Sequence, residues 1–260
     1  MIANKKLDQV GVIFSHELNQ SFKNWKLLFI LVIYLVFMFW SLNLVDNVQQ
    51  AIDEKVINYD ERVNIYEGLE SKFGNLNVAV PFIVGLILLP FITLLMHFNI
   101  ISDDRLNNRF RFLFTRSTPG VFIFGKFLAS LLVLSLANLL FFIISFFYVS
   151  FVVGDPLPIV SLFYPWLFIT FYSGALAAFY ILTSSFFKNT FSSLAWGLFG
   201  LFILFSLGGM PFLGYISLFS YMGTSISATF TQGLFTILAF LILSFIYLFL
   251  AWLKIRRVEF

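Results

Sequence analysis

The chain has 260 residues, of which 60% are hydrophobic and 38 are phenylalanine, while charged residues make up only 11%. This is more apolar surface than a soluble core of that length buries, so much of it must face lipid. The net charge of +3 lies in segments that flank apolar runs, which argues against a nucleic-acid-binding face. Because there is no cysteine, disulfides, thiolate metal sites and thiol chemistry are excluded.

Six apolar runs are long enough to cross a hydrocarbon core about 30 Å thick, which takes roughly 20 residues of helix. We predict transmembrane helices at residues 26–44, 78–101, 122–153, 163–187, 191–207 and 234–253. The first lacks a small-x-small cleavage site and is predicted to stay uncleaved. The third exceeds one perpendicular crossing, so it should tilt before ending at Gly154. Only Lys188 and Asn189 separate the fourth from the fifth, which predicts a tight hairpin.

The basic residues are distributed unevenly among the segments between these runs. All of the Lys and Arg residues except Lys55, Arg62 and Lys72 fall in residues 1–26, in residues 102–126, at Lys188 or in the tail. Lys and Arg near helix ends favour the cytoplasmic side of a membrane. We therefore predict a multi-pass protein of the cell (inner or plasma) membrane with both termini in the cytoplasm.

Two segments between the runs have their own character. Residues 46–76 are acidic with spaced apolar positions, which predicts an extracytoplasmic loop with one or two amphipathic helices. Residues 208–233 are apolar but broken by glycines, Pro211, serines and threonines, which predicts a re-entrant or interfacial extracytoplasmic segment. No linker divides the chain, so residues 1–260 are predicted to form a single all-helical membrane domain.

Catalytic motifs are not evident. The only histidines, His16 and His97, have no metalloprotease or nucleophile motif around them. Gly120, Gly125 and Lys126 match most of a G-x-x-x-x-G-K phosphate loop, but a phenylalanine follows where Ser or Thr is needed, and no buried strand precedes them. We interpret this stretch as a membrane-entry turn anchored by Lys126. The chain is predicted not to be an enzyme and to hold no cofactor or metal.

The runs also lack a carboxylate or base at mid-membrane, where carriers keep their ionisable groups. This weakens the alternative of an ATP-independent secondary carrier or channel without removing it. The many phenylalanines suit an apolar pathway, but contact with lipid is their simplest explanation.

The segment after the second run is amphipathic at helical spacing. Leu106, Phe110, Leu113 and Phe114 share one face, and arginines surround it. Such a helix lies on a membrane surface or docks into a groove on a soluble protein. The residues alone favour the membrane surface.

This segment also has the form of a known family motif. It begins Ile101-Ser102-x-Asp104-Arg105, continues through Phe112 and Leu113 to Ser117 and Pro119, and ends in Gly125-Lys126. In that order and spacing it resembles the type-2 ABC exporter permeases. Residues 13–18, with Glu17, resemble the amphipathic connecting helix of that family, which corresponds here to residues 1–25. Residues 215–233 resemble its re-entrant helices, and residues 255–260 its basic ending.

The resemblance implies a six-span permease subunit that dimerises with a second copy or a paralogue to form the substrate pathway. Separate ABC ATPase subunits would bind ATP and Mg²⁺ and would contact a cytoplasmic coupling helix at residues 102–120. The implied ATPase-coupling residues are Glu17, Asp103, Asp104, Arg105, Arg109, Phe110, Leu113 and Phe114. Asp103 and Asp104 would pair with basic residues of the ATPase or cap the helix N-terminus.

Small residues in the fourth run allow close contact between helices. Gly174 and Ala178 are spaced in the small-x-x-x-small manner. They are predicted to serve helix packing, either within the chain or between two copies.

Overall fold

A computed structural model describes residues 2–23, 25–42, 44–45, 50, 54, 76–107, 117–154, 159–208, 218 and 230–257. Within these residues the chain is helical and contains no strand, which confirms the all-α prediction for them. The helices are α1 (Ile2–Lys23), α2 (Trp25–Leu42), α3 (Leu76–His97), α4 (Ser102–Leu106), α5 (Pro119–Phe147), α6 (Ile159–Phe186), α7 (Thr190–Gly208) and α8 (Phe230–Arg256).

Five helical segments are long and apolar enough to cross a membrane. They are Val78–Leu106, Pro119–Phe151, Leu162–Phe186, Thr190–Gly208 and Gly233–Arg256. The apolar part of α2, Leu28–Leu42, is shorter; at 1.5 Å per residue it measures about 22 Å. The protein is therefore a multi-pass helical membrane protein with five segments that meet the length and composition of a span.

The ends of α5 and α6 follow from local chemistry. Pro119 occupies the first turn of α5, where its missing N–H costs nothing, so the helix begins three residues before the predicted run. A π-helical turn, Tyr148–Val153, extends α5. Gly154 then adopts a left-handed backbone with φ of 80°, which ends the helix as predicted. The predicted hairpin is also confirmed, because α6 ends at Phe186 and α7 begins at Thr190.

Helix α3 contains two prolines, and α6 compensates for one of them. Pro90 has no N–H to donate to the carbonyl of Leu86. The hydroxyl of Tyr172 approaches that carbonyl oxygen at 3.5 Å. The hydroxyl of Tyr180 donates to the carbonyl oxygen of Pro90 at 2.9 Å. Side chains of the neighbouring helix thus contact the backbone where the hydrogen-bond ladder is interrupted.

The centre of the bundle is α6. In α6, 78% of an apolar stretch of 18 residues is buried, whereas in α7 the corresponding share is 22%. Helix α6 is therefore surrounded by other helices, and α7 lies at the periphery. Phe168 and Tyr172 place their rings 5.3 and 5.5 Å from the ring of Phe240 on α8. Gly174 faces α5, where an added Cβ would lie 2.8 Å from Leu131 Cδ1. Ala178 is fully buried within the same chain.

Several predicted segments lie wholly or mainly outside the described residues. In the predicted extracytoplasmic loop at 46–76, only Gln50, Glu54 and Leu76 are described. In the predicted re-entrant segment at 208–233, residues 209–217 and 219–229 lie outside them. In the predicted coupling helix at 102–120, residues 108–116 lie outside, and the described parts belong to two helices, α4 and the start of α5. Thr118 between them has an extended backbone.

Candidate functional site

One end of the bundle gathers parts of the chain that are distant in sequence, and we call it the Lys126 end. A Cβ on Gly120 of α5 would lie 3.6 Å from the Trp252 ring of α8. Lys254 Nζ lies 5.1 Å from the centre of the Phe186 ring. Since α1 contacts α5 at Gly125 and Lys126, the N-terminal helix and the end of the last helix both lie at this end.

A buried ion cluster joins three helices there. Lys126 Nζ on α5 lies 2.7 Å from Glu17 Oε1 on α1 and 2.9 Å from Asp104 Oδ2 on α4. The side chain of Lys126 is 4% exposed, and those of Asp104 and Glu17 are 11% and 17% exposed. A charge this far from water is stable only with close partners. The cluster therefore holds its three helices in one arrangement.

The approach of α1 to α5 depends on Gly125. A Cβ at this position would lie 2.8 Å from Ile13 Cγ2 and 3.0 Å from Ile13 Cβ, both on α1. Glu17 lies one helical turn after Ile13, and Lys126 directly follows Gly125. The missing side chain thus lets α1 come close enough for the carboxylate to reach the ammonium group.

The short helix α4 is attached to α6 and α7 as well. The hydroxyl of Ser184 accepts hydrogen bonds from the backbone N–H groups of Ile101 and Ser102, each at 3.1 Å. Arg105 Nη1 donates to the carbonyl oxygen of Ser185 at 2.7 Å. The end of α6 therefore provides polar partners to both ends of α4.

Asp103 connects α4 to the start of α7. Its Oδ1 accepts from the Thr190 hydroxyl at 3.0 Å, and its Oδ2 accepts from Asn99 Nδ2 at 2.6 Å. The N-cap of α4 is Ile101, which supplies no side-chain cap. Asp103 is thus a bridge between helices, and Ser184 binds the N–H groups at the start of α4.

A polar cavity of about 360 Å³ lies beside the ion cluster. Glu17, Asp103, Asp104, Lys126 and His97 are among its lining residues. The His97 side chain is 2% exposed, and its Nδ1 lies 2.8 Å from the carbonyl oxygen of Thr93. Charged and polar groups from α1, α3, α4 and α5 therefore line a common, partly open cleft.

The structure brings together part of the predicted site. Glu17, Asp103 and Asp104 line one cavity, and Arg105 turns to α6. The predicted coupling residues Arg109, Phe110, Leu113 and Phe114 lie outside the described residues.

Sequence reasoning missed the partners of that site. The prediction of a membrane-entry turn at Lys126 is wrong, because α5 begins at Pro119 and Lys126 is helical and buried. The pair Gly125-Lys126 is the feature of the sequence that could have indicated a close contact between helices next to a charged residue. Ser184, Ser185 and Thr190 carry no local signal, because their partners lie 80 or more residues away in the chain.

No protein-family model matches the chain, and no curated protein matches it. The fold and the site together define its class as a multi-pass helical membrane protein with a buried ion cluster at one end of the bundle.

Proposed function

We propose that this chain is the membrane-spanning permease subunit of an ATP-driven ABC exporter. In this proposal α2 is the first of six spans, the Lys126 end is cytoplasmic, and two copies or a copy and a paralogue form the substrate pathway. ATP and Mg²⁺ are bound by separate ATPase subunits, which contact the chain at α4 and the residues that follow it. The motif resemblance at residues 101–126 supports this assignment.

The attachment of α4 is the observation that carries the proposal. This five-residue helix lies at the end of the segment Val78–Leu106, after α3 and before α5. It is bonded to α1 and α5 through Lys126, to α6 through Arg105 and Ser184, and to α7 through Asp103. A displacement of α4 would therefore reach four other helices through short polar contacts. Closure of an ATPase around ATP would shift the populations of two bundle arrangements through these contacts.

The positions of the first and last helices support the six-span topology, because an even number of crossings returns the chain to the side of the membrane on which it began. The N-terminal helix α1 and the end of α8 lie at the same end of the bundle. An odd number of crossings would separate them. With five segments that meet the length of a span, a crossing by α2 supplies the sixth.

Co-purification with the ATPase encoded beside its gene tests this function. We expect wild-type protein in detergent to retain that ATPase and to stimulate its ATP hydrolysis. Phe110→Asp should abolish retention, because it places a charge on the apolar face predicted to dock. Asp103→Asn should keep retention but reduce stimulation, since it weakens the bridge from α4 to α7.

Asp8→Asn is the matched control, because it makes the same chemical change at an exposed position on α1. It should leave retention and stimulation unchanged. If the wild type retains no ATPase, the proposal fails.

A second candidate is an ATP-independent carrier, and one observation favours it. Lys126 and His97 are buried within apolar helical segments beside a polar cavity, and ionisable groups in such places often serve transport. Substrate flux into liposomes that contain only this protein, without ATP, would support the carrier and exclude dependence on an ATPase.

A further inference from the structure

The seam between α7 and α8 is the place where two outer helices meet over the central one. Both pack against α6, and they make few contacts with each other. The ring of Phe179 on α6 reaches both neighbours. Its centre lies 5.5 Å from that of the Tyr247 ring on α8, and a Cβ on Gly200 of α7 would lie 2.7 Å from Phe179 Cζ. Phe179 therefore forms the floor of the seam.

Towards the Lys126 end the floor of the seam becomes exposed. Thr183 and Phe186 share a face of α6 with Phe179, since they lie four and seven residues after it. Thr183 is half-buried, whereas Phe186 is 50% exposed. From Phe179 to Phe186 the floor is about 10 Å long, out of roughly 15 Å of hydrocarbon in one leaflet. An acyl chain on these side chains would run from the membrane surface towards its centre.

The α7 wall of the seam carries an aromatic pair at this end. The ring of Trp196 stacks on that of Phe187 with centres 5.7 Å apart, and Trp196 is half-exposed. Trp196 lies one turn before Gly200 and so on the same side of α7. Tryptophan is enriched where headgroups meet acyl chains, because its ring is apolar and its N–H is polar. The open end of the seam therefore has the character of a membrane interface.

Three cations surround this open end. Lys254 Nζ on α8 lies over the ring of Phe186, 5.1 Å from its centre. Lys188 follows Phe186 by two residues, in the turn before α7, and is exposed. Arg257 follows Lys254 by three residues at the end of α8 and is exposed as well. Positive groups from two elements thus collect where the exposed part of the floor ends.

These cations lack a counter-charge in the part of the chain that the structure describes. Lys188, Lys254 and Arg257 form no ion pair with a described carboxylate. Asp103, the carboxylate bonded to the start of α7, pairs with a hydroxyl and an amide instead. From residue 156 onward the sequence has four basic residues and one acidic residue. An anion from outside the chain would be attracted to this position.

A ligand that fits the whole seam has a negative head and an apolar tail. Lys and Arg both bind phosphate, and basic clusters beside transmembrane helices bind anionic headgroups. A soluble anion would use the cations but not the exposed rings. We propose that the seam binds an anionic phospholipid, with its headgroup at the three cations and one acyl chain over Phe186 and Phe179. This requires only that the helices span a membrane and is independent of an ATPase partner.

Titration with two lipids tests the proposal. Delipidated protein in detergent is titrated with palmitoyl-oleoyl phosphatidylglycerol or with the phosphatidylcholine that has the same acyl chains. Native mass spectrometry counts the bound lipid and gives the affinity. We expect phosphatidylglycerol to bind at least about tenfold more tightly, because only its headgroup has a net negative charge. Equal affinities of the wild type for the two lipids would overturn the proposal.

Charge variants locate the headgroup. The double variant Lys188→Gln, Lys254→Gln should weaken phosphatidylglycerol binding about 30-fold, since each cation near an anionic headgroup contributes about fivefold. The matched control is Lys23→Gln, Arg256→Gln. It removes the same charge from exposed residues on α1 and on the other side of α8, and it should keep the wild-type affinity. An equal loss in both double variants would show that binding follows net charge alone, against the proposal.

A change in the floor tests the position of the acyl chain. Thr183→Trp adds a large ring between Phe179 and Phe186 and should weaken the binding of both lipids several-fold. The preference for phosphatidylglycerol should remain, because the cations are unchanged. Unchanged affinity of a folded Thr183→Trp variant would exclude the chain from the seam.

Glycerol phosphate provides the headgroup chemistry without the chains. At millimolar concentration it should not displace phosphatidylglycerol from the wild type. Displacement would identify a site for soluble anions and would overturn the assignment to a lipid.

Discussion

At the scale of single residues, the shared ammonium group of Lys126 is the most consequential contact. It lies within 3 Å of carboxylates from two other helices and is almost fully buried. Such a cluster is not a large net source of stability, since an apolar replacement of all its members is often neutral. Removing only the cation is different, because two carboxylates then face each other away from water.

We expect Lys126→Met to lower the free energy of unfolding by about 3–5 kcal/mol, the usual cost of breaking a buried pair. Denaturant unfolding in detergent, followed by tryptophan fluorescence, measures this change. The matched control is Lys188→Met, which is exposed and should stay within about 0.5 kcal/mol. Adding Glu17→Gln and Asp104→Asn to Lys126→Met should restore much of the loss. A stable Lys126→Met single variant would show that the cluster is not held as described.

The residue scale also marks the limit of what sequence could predict. Glu17, Asp103 and Asp104 can be singled out from the sequence because they stand in motifs that resemble those of a known family, and their role in ATPase coupling stays a prediction. Their partners cannot be singled out in this way, because Glu17 and Lys126 are 109 residues apart and nothing local in the sequence joins them. A hydrogen bond between helices depends on how they pack, and periodicity within one helix does not contain that information.

At the scale of elements, glycine positions set the distances between helices. Gly120 and Gly125 lie on the same helix but meet different neighbours. A Cβ at Gly120 would be 3.6 Å from Trp252, an ordinary contact, whereas at Gly125 it would overlap Ile13. The position of α1 therefore depends on one of the two glycines.

We predict that Gly125→Ala displaces α1 from α5 and that Gly120→Ala does not. Overpacking of this kind typically costs about 1–3 kcal/mol, whereas alanine at Gly120 gains helix propensity. The distance between spin labels at Asn19 and Thr118 would report the displacement in double electron–electron resonance spectra. Ile13→Ala should partly restore the distance in the Gly125→Ala background. An unchanged distance in the single variant would contradict the tight approach.

Helix existence was predictable from composition, whereas helix bounds were less so. An apolar run of about 20 residues identifies a span because the bilayer requires that length. The bounds depend on other chemistry: Pro119 starts α5 before its apolar run, and α3 ends at His97, four residues before the predicted end. The last helix likewise begins at Phe230 and not at residue 234.

At the scale of the whole molecule, the absence of cysteine makes the topology directly measurable. We predict that single cysteines at Asp8, Lys188 and Arg257, all exposed, react from the same side of the membrane. A membrane-impermeant maleimide should label none of them in intact cells and all of them in inverted vesicles, because the Lys126 end is proposed to be cytoplasmic. Labelling of one position from the opposite side would exclude an even number of crossings between them.

Phenylalanine lies both on the exterior of the bundle and in its interior. Phe191, Phe202 and Phe205 on α7 are 65–74% exposed, whereas Phe168 on α6 is fully buried. Aromatic residues thus serve both lipid contact and the core. This is why the abundance of phenylalanine identified a membrane protein but did not identify a pathway through it.

The two tyrosine hydroxyls near Pro90 have a mechanical consequence. A proline inside a membrane helix usually creates a flexible joint, since the helix has lost a backbone hydrogen bond there. Tyr172 and Tyr180 place their hydroxyls against that joint from α6. We therefore expect α3 and α6 to tilt together when the Lys126 end is displaced, and α3 not to bend at Pro90.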